Sequence, residues 1–281
     1  MTRQKTTIPQ IQAWKREQRK VTMLTAYDYP VARLLDEAGI DIILVGDSLG
    51  MVVLGQPNTT GVTMEQMLHH AKAVRRGVAS ALLVGDMPFG SFHTSADEAI
   101  RNATRFIQEA GCEAVKLEWY PGVELIAAAI VRTGIPVMGH VGLTPQTASQ
   151  SGGFIVQGRD PASAQRILEA AAALEQAGCF ALVLECIPES LGQEITARLS
   201  IPTIGIGAGR YCDGQVLVTY DLLGLFQAFT PKFVKRYADL SSTIQEAVGR
   251  FKQDVEEGKF PGVEHVYGAG KDSTTKTRHG T

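Results

Sequence analysis

Short runs of aliphatic residues recur along the chain, and several of them end in an acidic residue or a histidine. The segments IILVGDS at 42–48 and LLVGDM at 82–87 both end in Gly-Asp plus one residue. An uninterrupted apolar run of four to six residues is typical of a strand buried on both faces. Eight such runs predict strands at 21–26, 41–46, 81–85, 114–117, 136–139, 181–184, 202–206 and 215–218.

Between most of these runs, apolar positions recur every three to four residues, which predicts helices. Several of these patterns begin at Ser, Thr, Asp or Pro and end at Gly, as capped helices do. Strand and helix therefore alternate about eight times without a linker, and this order predicts one α/β domain over residues 1–281, a (β/α)₈ TIM barrel. The gap between the seventh and eighth runs is short for a helix, so a doubly wound open sheet is the alternative.

Two terminal regions lie outside this alternation. Residues 8–17 predict an extra helix over the bottom of the barrel, within an N-terminal helical extension of about residues 1–20. Residues 241–260 predict a plain amphipathic helix. The last residues, about 267–281, consist largely of Gly, Ser, Thr and charged residues, which predicts a disordered tail.

Composition narrows the possible partners. The 281 residues are 44% hydrophobic and 20% charged, with a net charge of −2, so the chain can bury a large core and has no general attraction for nucleic acid or an anionic membrane. No apolar run is long enough to span a membrane, and the charged N-terminus lacks the apolar core of a secretory signal. We therefore expect a cytoplasmic protein whose partners are small molecules or further copies of itself.

The four cysteines favour the same compartment. Cys112, Cys179, Cys186 and Cys212 form no CxxC pair, and three of them lie in or beside apolar segments. Buried thiols in a reducing compartment explain this pattern better than a zinc site does.

Acidic residues follow three consecutive predicted strands. Asp47, Asp86 and Glu118 end strands two, three and four, and the C-terminal strand ends of a TIM barrel form the mouth that holds the active site. Three carboxylates there suit a hard divalent cation such as Mg²⁺. The alternative is that each acid caps the following helix, but three acids on consecutive strands favour the metal site.

Two further residues belong to the same predicted site. Lys116 lies two residues before Glu118, so both side chains share one face of the strand. A lysine in an apolar strand is costly to bury without a partner, which is either Glu118 in a structural pair or the carboxylate or enolate of a substrate. Ser48 has a hydroxyl that suits the same anion, although capping of the following helix or turn explains it equally well.

Glu185 and His140 end the sixth and fifth predicted strands. Glu185 lies across the ring from the three acids, a position that suits a general base, because a partly desolvated glutamate is able to remove a proton next to a carbonyl. His140 is a candidate for donating to a substrate carbonyl or for holding water near the metal. A single histidine is as often a structural hydrogen-bonding group.

The segment ILVGDSLGMVVLGQPNTTGVTMEQMLHHAKAVRRG resembles the signature region of the ketopantoate hydroxymethyltransferase family. The motifs GDMPFGS, VKLE, GHVGLTPQ, GGFIVQGR, LVLECIP and IGIGAG…CDGQVLV follow in that family's order, so the resemblance covers about residues 5–265. It implies a barrel of the phosphoenolpyruvate/pyruvate-like type. It also implies transfer of a hydroxymethyl group from 5,10-methylenetetrahydrofolate to 3-methyl-2-oxobutanoate, which gives 2-dehydropantoate in pantothenate and coenzyme A biosynthesis.

The resemblance further implies a role for each candidate residue. One Mg²⁺ per subunit is associated with Asp47, Asp86 and Glu118. Glu185 is the proton acceptor, and methylenetetrahydrofolate is a co-substrate. The ketoacid contacts are Asp47, Ser48, Asp86 and Lys116, with His140 as a further candidate.

Bacterial members of the family are typically decamers of two stacked pentameric rings, so the resemblance also implies a homodecamer. The chain departs from the family at Phe154–Ile155, where members often carry an aromatic–Lys pair, and at Tyr220, where they often carry a histidine. Two rival functions remain: a metal-dependent aldolase or lyase of the same superfamily, which needs no folate, and a non-catalytic barrel, which tolerates loss of the acids.

Overall fold

A closed barrel of eight parallel strands forms the centre of the molecule. The computed structural model describes residues 4–151, 153 and 155–268. The strands pair in chain order, and the last closes on the first. They are β1 (Val21–Thr25), β2 (Ile42–Val45), β3 (Leu82–Asp86), β4 (Ala114–Glu118), β5 (Val137–Gly142), β6 (Ala181–Glu185), β7 (Thr203–Ile206) and β8 (Gly214–Leu217). The predicted TIM barrel is confirmed, and the open-sheet alternative is wrong.

Helices connect most of the strands, and further helices precede the first strand and follow the last. They are α1 (Ile8–Arg16), α2 (Tyr29–Glu37), α3 (Leu49–Val52), α4 (Met64–Gly77), α5 (Ala96–Gln108), α6 (Val123–Arg132), α7 (Pro161–Gln176), α8 (Glu189–Arg198), α9 (Thr219–Leu222) and α10 (Leu240–Glu256), with 3₁₀ turns at Pro145–Ser151 and Val263–His265. Side chains of Asp28, Thr63, Ser95 and Asp160 accept hydrogen bonds from the first turns of α2, α4, α5 and α7, as the start signals predict. Residues 207–213 connect β7 to β8 without a helix, and the two strands still pair in parallel.

Side chains point to opposite faces in alternation along each strand, and they form two apolar layers. One layer faces the surrounding helices, while the other fills the barrel with side chains such as Met23, Leu44, Val84, Met138 and Val183. Residues two positions apart on a strand share a face. The inner face of strands β3 to β6 therefore changes, toward the C-terminal ends, from these apolar side chains to the polar ones: Asp86, Lys116, Glu118, His140 and Glu185.

Helix α1 lies across the opposite end of the barrel. Ile11 is fully buried within the inner apolar layer. Lys15 pairs with Asp213 at 2.7 Å, and Arg19, just beyond α1, pairs with Asp41 at 2.8 Å. These two acids immediately precede β8 and β2, so the helix and the residues after it close the end where the strands begin.

Helix α10 forms as the amphipathic pattern predicts, but none of its residues is buried. Its apolar side chains Ile244, Val248, Phe251 and Val255 are 47–60% exposed. Of the predicted disordered tail, residues 269–281 lie outside the described residues.

Across the described ranges, the helices are too short or too polar for any of them to cross a membrane.

Candidate active site

Strand register places the charged side chains next to one another at the mouth of the barrel. The pairing of β3 with β4 aligns Asp86 with Lys116, and the pairing of β4 with β5 aligns Glu118 with His140. A cavity of about 430 Å³ opens above them. Every residue that the sequence predicted for the site lines this cavity: Asp47, Ser48, Asp86, Lys116, Glu118, His140 and Glu185.

Lys116 forms a buried salt bridge with Asp86. The Nζ–Oδ1 distance is 2.6 Å, and both side chains are at most 5% exposed. Burial by itself lowers the pKa of Lys116, but the negative charges of Asp86, Glu118 and Asp47 outweigh that effect and raise the pKa above its ordinary value. The lysine therefore stays charged at neutral pH. The sequence suggested Glu118 or a substrate anion as the partner of Lys116. Within the protein, the partner is Asp86 and not Glu118.

Asp47 and Glu118 are buried acids in excess of the available positive charge. Burial and the charge of Asp86 raise the pKa of Asp47 to about 7, against the opposing effects of Lys116 and Gln146. Burial also raises the pKa of Glu118 well above its ordinary value, and Lys116 offsets only part of this. Around neutral pH, the site therefore favours any ligand that adds positive charge next to these acids.

Gln146 connects the acids, although it was not among the residues that the sequence predicted for the site. Its Nε2 donates to Asp47 Oδ2 and to the carbonyl of Met87, both at 2.9 Å, while its backbone N–H donates to Glu118 Oε2 at 3.0 Å. Gln146 follows β5 in the motif GHVGLTPQ, one of the motifs that carried the family resemblance. The sequence signal for Gln146 was its position as a polar residue in the loop after a strand, and the prediction used only residues at strand ends.

The acids fit a divalent cation in chemistry, although their side chains do not form a ready-made cluster. Throughout the described part of the chain, no three His, Cys, Asp or Glu groups converge as a metal site. Gln146 nevertheless donates to only one oxygen of each acid, and Asp47 Oδ1 and Glu118 Oε1 accept no hydrogen bond from any described residue. Three buried carboxylates beside a single lysine leave unbalanced negative charge, so the residues present fit Mg²⁺.

Ser48 does not cap the helix that follows it. It precedes α3, but its side chain makes no cap hydrogen bond. Its hydroxyl instead lies 2.9 Å from the hydroxyl of the buried Tyr27. Burial raises the pKa of Tyr27, which keeps that phenol protonated. The cap interpretation of Ser48 is therefore wrong, and its hydroxyl lines the cavity.

His140 lies between two acids. Its Nε2 is 3.2 Å from Glu185 Oε2, and its Nδ1 is 3.7 Å from Glu118 Oε1. Neither ring nitrogen has hydrogen-bond geometry to a partner among the described residues, although the ring is buried. Burial and the charge of Lys116 lower the pKa of His140, so the ring is neutral at pH 7. A neutral imidazole with both nitrogens unsatisfied is available to a ligand in the mouth.

The chain turns sharply where Glu185 ends β6. The following residue, Cys186, has a φ of +46°, which is unusual for a residue other than glycine. Gly142 on β5 has a φ of +98°, and a Cβ atom there would lie 2.2 Å from the carbonyl oxygen of Glu185. The same carbonyl accepts a hydrogen bond from Leu143 N–H at 2.9 Å. Close backbone packing therefore fixes the position from which the Glu185 side chain enters the cavity.

Comparison with known proteins identifies close relatives. The family model for ketopantoate hydroxymethyltransferase matches residues 5–263. A 3-methyl-2-oxobutanoate hydroxymethyltransferase of Heliobacterium modesticaldum is 55% identical, with coverage of 94% of this chain and 96% of the relative. A protein of the same name from Moorella thermoacetica is 56% identical, with coverage of 94% and 98%. These matches confirm the resemblance that the motifs indicated.

Solved structures with the same fold are more distant. A phosphoenolpyruvate phosphomutase from Streptomyces platensis subsp. rosaceus has a TM-score of 0.60 at 16% identity, covering 93% of this chain and 92% of its own. A 2,3-dimethylmalate lyase, described as a member of the PEP mutase/isocitrate lyase superfamily, has a TM-score of 0.59 at 13% identity, covering 96% and 92%. A phosphonopyruvate hydrolase in complex with oxalate and Mg²⁺ has a TM-score of 0.57 at 15% identity, covering 92% of each chain. These similarities confirm the (β/α)₈ barrel fold.

Proposed function

This chain belongs to the ketopantoate hydroxymethyltransferase family, and from that premise we propose that it acts as a single barrel domain that moves a hydroxymethyl group from 5,10-methylenetetrahydrofolate to 3-methyl-2-oxobutanoate. The product is 2-dehydropantoate, in the route to pantothenate and coenzyme A. The names of the curated relatives confirm the predicted enzyme class. The observation that carries the proposal is the buried Lys116–Asp86 pair among excess acids, with Glu185 in the same cavity.

The proposed metal ligands are Asp47, Asp86 and Glu118. Their support is that burial, together with the neighbouring acidic charges, raises the pKa of Asp47 and of Glu118. Mg²⁺, when bound, would act as a Lewis acid toward the carboxylate and keto oxygens of the ketoacid. Gln146 holds one oxygen of Asp47 and one of Glu118, which leaves the other oxygen of each for the metal.

Three other side chains are proposed to hold the ketoacid. Lys116 supplies a positive charge that is fixed in place by Asp86. Ser48 offers a hydroxyl that is oriented by the phenol of Tyr27. His140 offers a neutral ring whose nitrogens are unsatisfied among the described residues. Together these groups match the adjacent carboxylate and keto oxygens at the polar end of a 2-oxo acid.

Glu185 is the proposed general base. Its side chain is 15% exposed, against 5% or less for Asp86 and Lys116, so it reaches into the cavity instead of being enclosed by the protein. It removes the C3 proton of the ketoacid, and the electron pair of that C–H bond forms the new C–C bond to the methylene carbon of the folate as one of the two C–N bonds of that carbon breaks. Water then displaces the second nitrogen and supplies the hydroxyl oxygen. The folate leaves as tetrahydrofolate, whose two freed nitrogens take up the C3 proton and one proton of the water.

We further propose that the protein is a homo-oligomer, and the family resemblance favours a decamer. Helix α10 supports association with a second copy, because Ile244, Val248, Phe251 and Val255 form an exposed apolar stripe at helical spacing. Mass measurement in solution should give a multiple of the 30.3 kDa chain at micromolar concentration. A monomer under those conditions would contradict this proposal.

A cytoplasmic location is also proposed. The four cysteines are free thiols, and Cys112, Cys179 and Cys212 are buried. Free buried thiols are typical of proteins from a reducing compartment.

The decisive experiment is a reconstituted reaction with an omission series. With 3-methyl-2-oxobutanoate, Mg²⁺ and methylenetetrahydrofolate, the protein should form 2-dehydropantoate and tetrahydrofolate in equal amounts. Omission of the folate should abolish product, and chelation of the metal should do the same. A folate-independent aldolase or lyase predicts turnover of a 2-oxo acid without folate, and that result, or no product from the complete mixture, would overturn the proposal.

A further inference from the structure

The cavity has two chemically different zones. Its floor carries the charged residues already described, while its outer part is lined by Lys232 and, for the most part, by apolar residues: Val218, Phe226, Phe229, Pro231 and Phe233. We call these five apolar residues the aromatic rim. A five-carbon ketoacid that binds the floor leaves the rim for a second, flat and largely apolar molecule. Apolar walls with a few fixed polar groups are typical of sites for such ligands.

The rim is anchored to the barrel. Thr219 N–H donates to Thr25 Oγ1 at 3.0 Å, and the Thr219 hydroxyl donates to the Thr25 carbonyl at 2.5 Å, which ties α9 to the end of β1. The rings of Phe226 and Phe229 pack edge to face with centroids 5.4 Å apart. Phe233 lies directly over the backbone of Gly207, where a Cβ atom would come within 2.7 Å of the ring. The rim is therefore a formed surface.

One carboxylate, Asp221 on α9, lines the cavity beside this rim. The side chain is partly buried, and among the described residues no donor forms a hydrogen bond or ion pair with its oxygens. Burial raises the pKa of Asp221 to about 6, and the charge of Arg236 opposes that shift, so the group is mostly ionised above pH 7. A partly buried carboxylate without a partner is unfavourable unless a ligand supplies the donors.

We propose that Asp221 binds the 2-amino-4-oxopyrimidine edge of the tetrahydropterin of the folate donor, with the aromatic rim against the pterin ring. The inference rests on the proposed function and assigns a residue to its second substrate. That edge of the pterin presents the N3–H and one 2-amino N–H side by side, and the two oxygens of one carboxylate match such a pair of donors. The phenylalanines supply apolar and edge-to-face contacts to the ring.

The test uses Asp221→Asn in the full-length protein. Asparagine keeps the size but replaces one acceptor with a donor, which opposes the pterin N–H groups. The Kd for tetrahydrofolate and the KM for methylenetetrahydrofolate should rise roughly 10–100-fold, as expected for a lost hydrogen bond to a charged group. The exchange of the ketoacid C3 proton with D₂O in the absence of folate should stay within about twofold, because it depends on the floor.

Two comparison variants accompany it. Asp97→Asn makes the same chemical change at an exposed site on α5 and should leave the tetrahydrofolate affinity unaltered. Phe229→Leu removes a ring of the aromatic rim and should weaken tetrahydrofolate binding by a smaller factor than Asp221→Asn does.

The outcomes distinguish failure of the Asp221 inference from failure of the proposed function. Unaltered tetrahydrofolate affinity in Asp221→Asn would overturn the inference and leave the proposed function standing. Equal losses of proton exchange and folate affinity would also overturn it, because they would show that Asp221 only supports the fold of the site. Failure of the parent protein to bind tetrahydrofolate or form product would instead contradict the proposed function itself.

Discussion

The two halves of the barrel mouth differ in burial and charge. On the half formed by the ends of β2 to β5, Asp86 and Lys116 pair directly, and Gln146 connects Asp47 to Glu118. On the half formed by β6 to β8, apolar side chains such as Val183, Ile206 and Val216 line the cavity, together with two acids, Glu185 at the end of β6 and Asp221 after β8. The difference suggests that one half binds a charged substrate and its metal, while the other moves a proton.

The origin of the difference lies in register and loops. Parallel pairing aligns a charged residue with a charged or polar one at β3–β4 and β4–β5. At β5–β6 it aligns Glu185 with Gly142, whose lack of a side chain leaves room for the Glu185 backbone. Glu185 lies 3.2 Å from His140, and no lysine or glutamine among the described residues binds its side chain.

The largest expected effect comes from removing the base on the second half. Glu185→Gln keeps the size of the side chain but not its basicity, so exchange of the ketoacid C3 proton with D₂O should fall roughly 10²–10⁴-fold, the usual contribution of a positioned general base. Binding of the ketoacid should stay nearly normal. NMR of the C3 signal measures the exchange, and an unaltered rate would move the base elsewhere, with His140 the first alternative.

Removing an acid from the first half should mainly weaken ketoacid binding, whereas removing the base should mainly slow proton exchange. Asp47→Asn takes one charge from the proposed ligand set, so Mg²⁺-dependent binding of the ketoacid should weaken by about tenfold or more. Titration calorimetry with and without Mg²⁺ measures this. Asp86→Asn should weaken it as well, and also leave Lys116 without its ion-pair partner. Parent-like binding of metal and ketoacid in either variant would show that the metal assignment is wrong.

Gly142→Ala tests whether backbone contact positions the base. The new Cβ would meet the Glu185 carbonyl at 2.2 Å, and the φ of +98° is itself unfavourable for alanine. We expect proton exchange to fall by about tenfold while ketoacid binding changes less. Gly134→Ala is the matched control, because Gly134 has a similar φ of +90° but no atom of a described residue within 4 Å of the added Cβ. Equal effects of the two substitutions on exchange would argue against a positioning role.

A further expected effect, on stability instead of activity, is the pH dependence of unfolding without metal. The pKa of Asp47 is about 7 in the folded protein, above the ordinary 3.8, so the folded state binds the extra proton between these values. The free energy of unfolding should therefore fall as pH rises from about 4 to about 7, by on the order of 1–4 kcal/mol from this group. Urea unfolding in EDTA at several pH values measures it. Asp47→Asn should reduce the slope, and an identical slope in parent and variant would contradict the burial argument.

Local patterns were enough to predict much of the fold and part of the site. Apolar runs and capping residues predicted the eight strands and most helices, because a doubly buried strand and a capped helix leave regular marks in the sequence. The acids were found because they interrupt or end such runs. Gln146 and Asp221 were missed because each follows a strand in a loop or short helix, where no periodicity marks a residue that contacts the site acids or lines the cavity.

The sequence by itself determined the barrel and the family, since these follow from periodicity and ordered motifs. Only the tertiary structure decided that Lys116 pairs with Asp86 rather than Glu118, because strand register sets which side chains meet across neighbouring strands. It also decided that the apolar stripe of α10 remains exposed, since amphipathicity predicts a surface to be covered but not what covers it. Distances, burial and the resulting pKa shifts depend on residues far apart in the chain, and no local pattern encodes them.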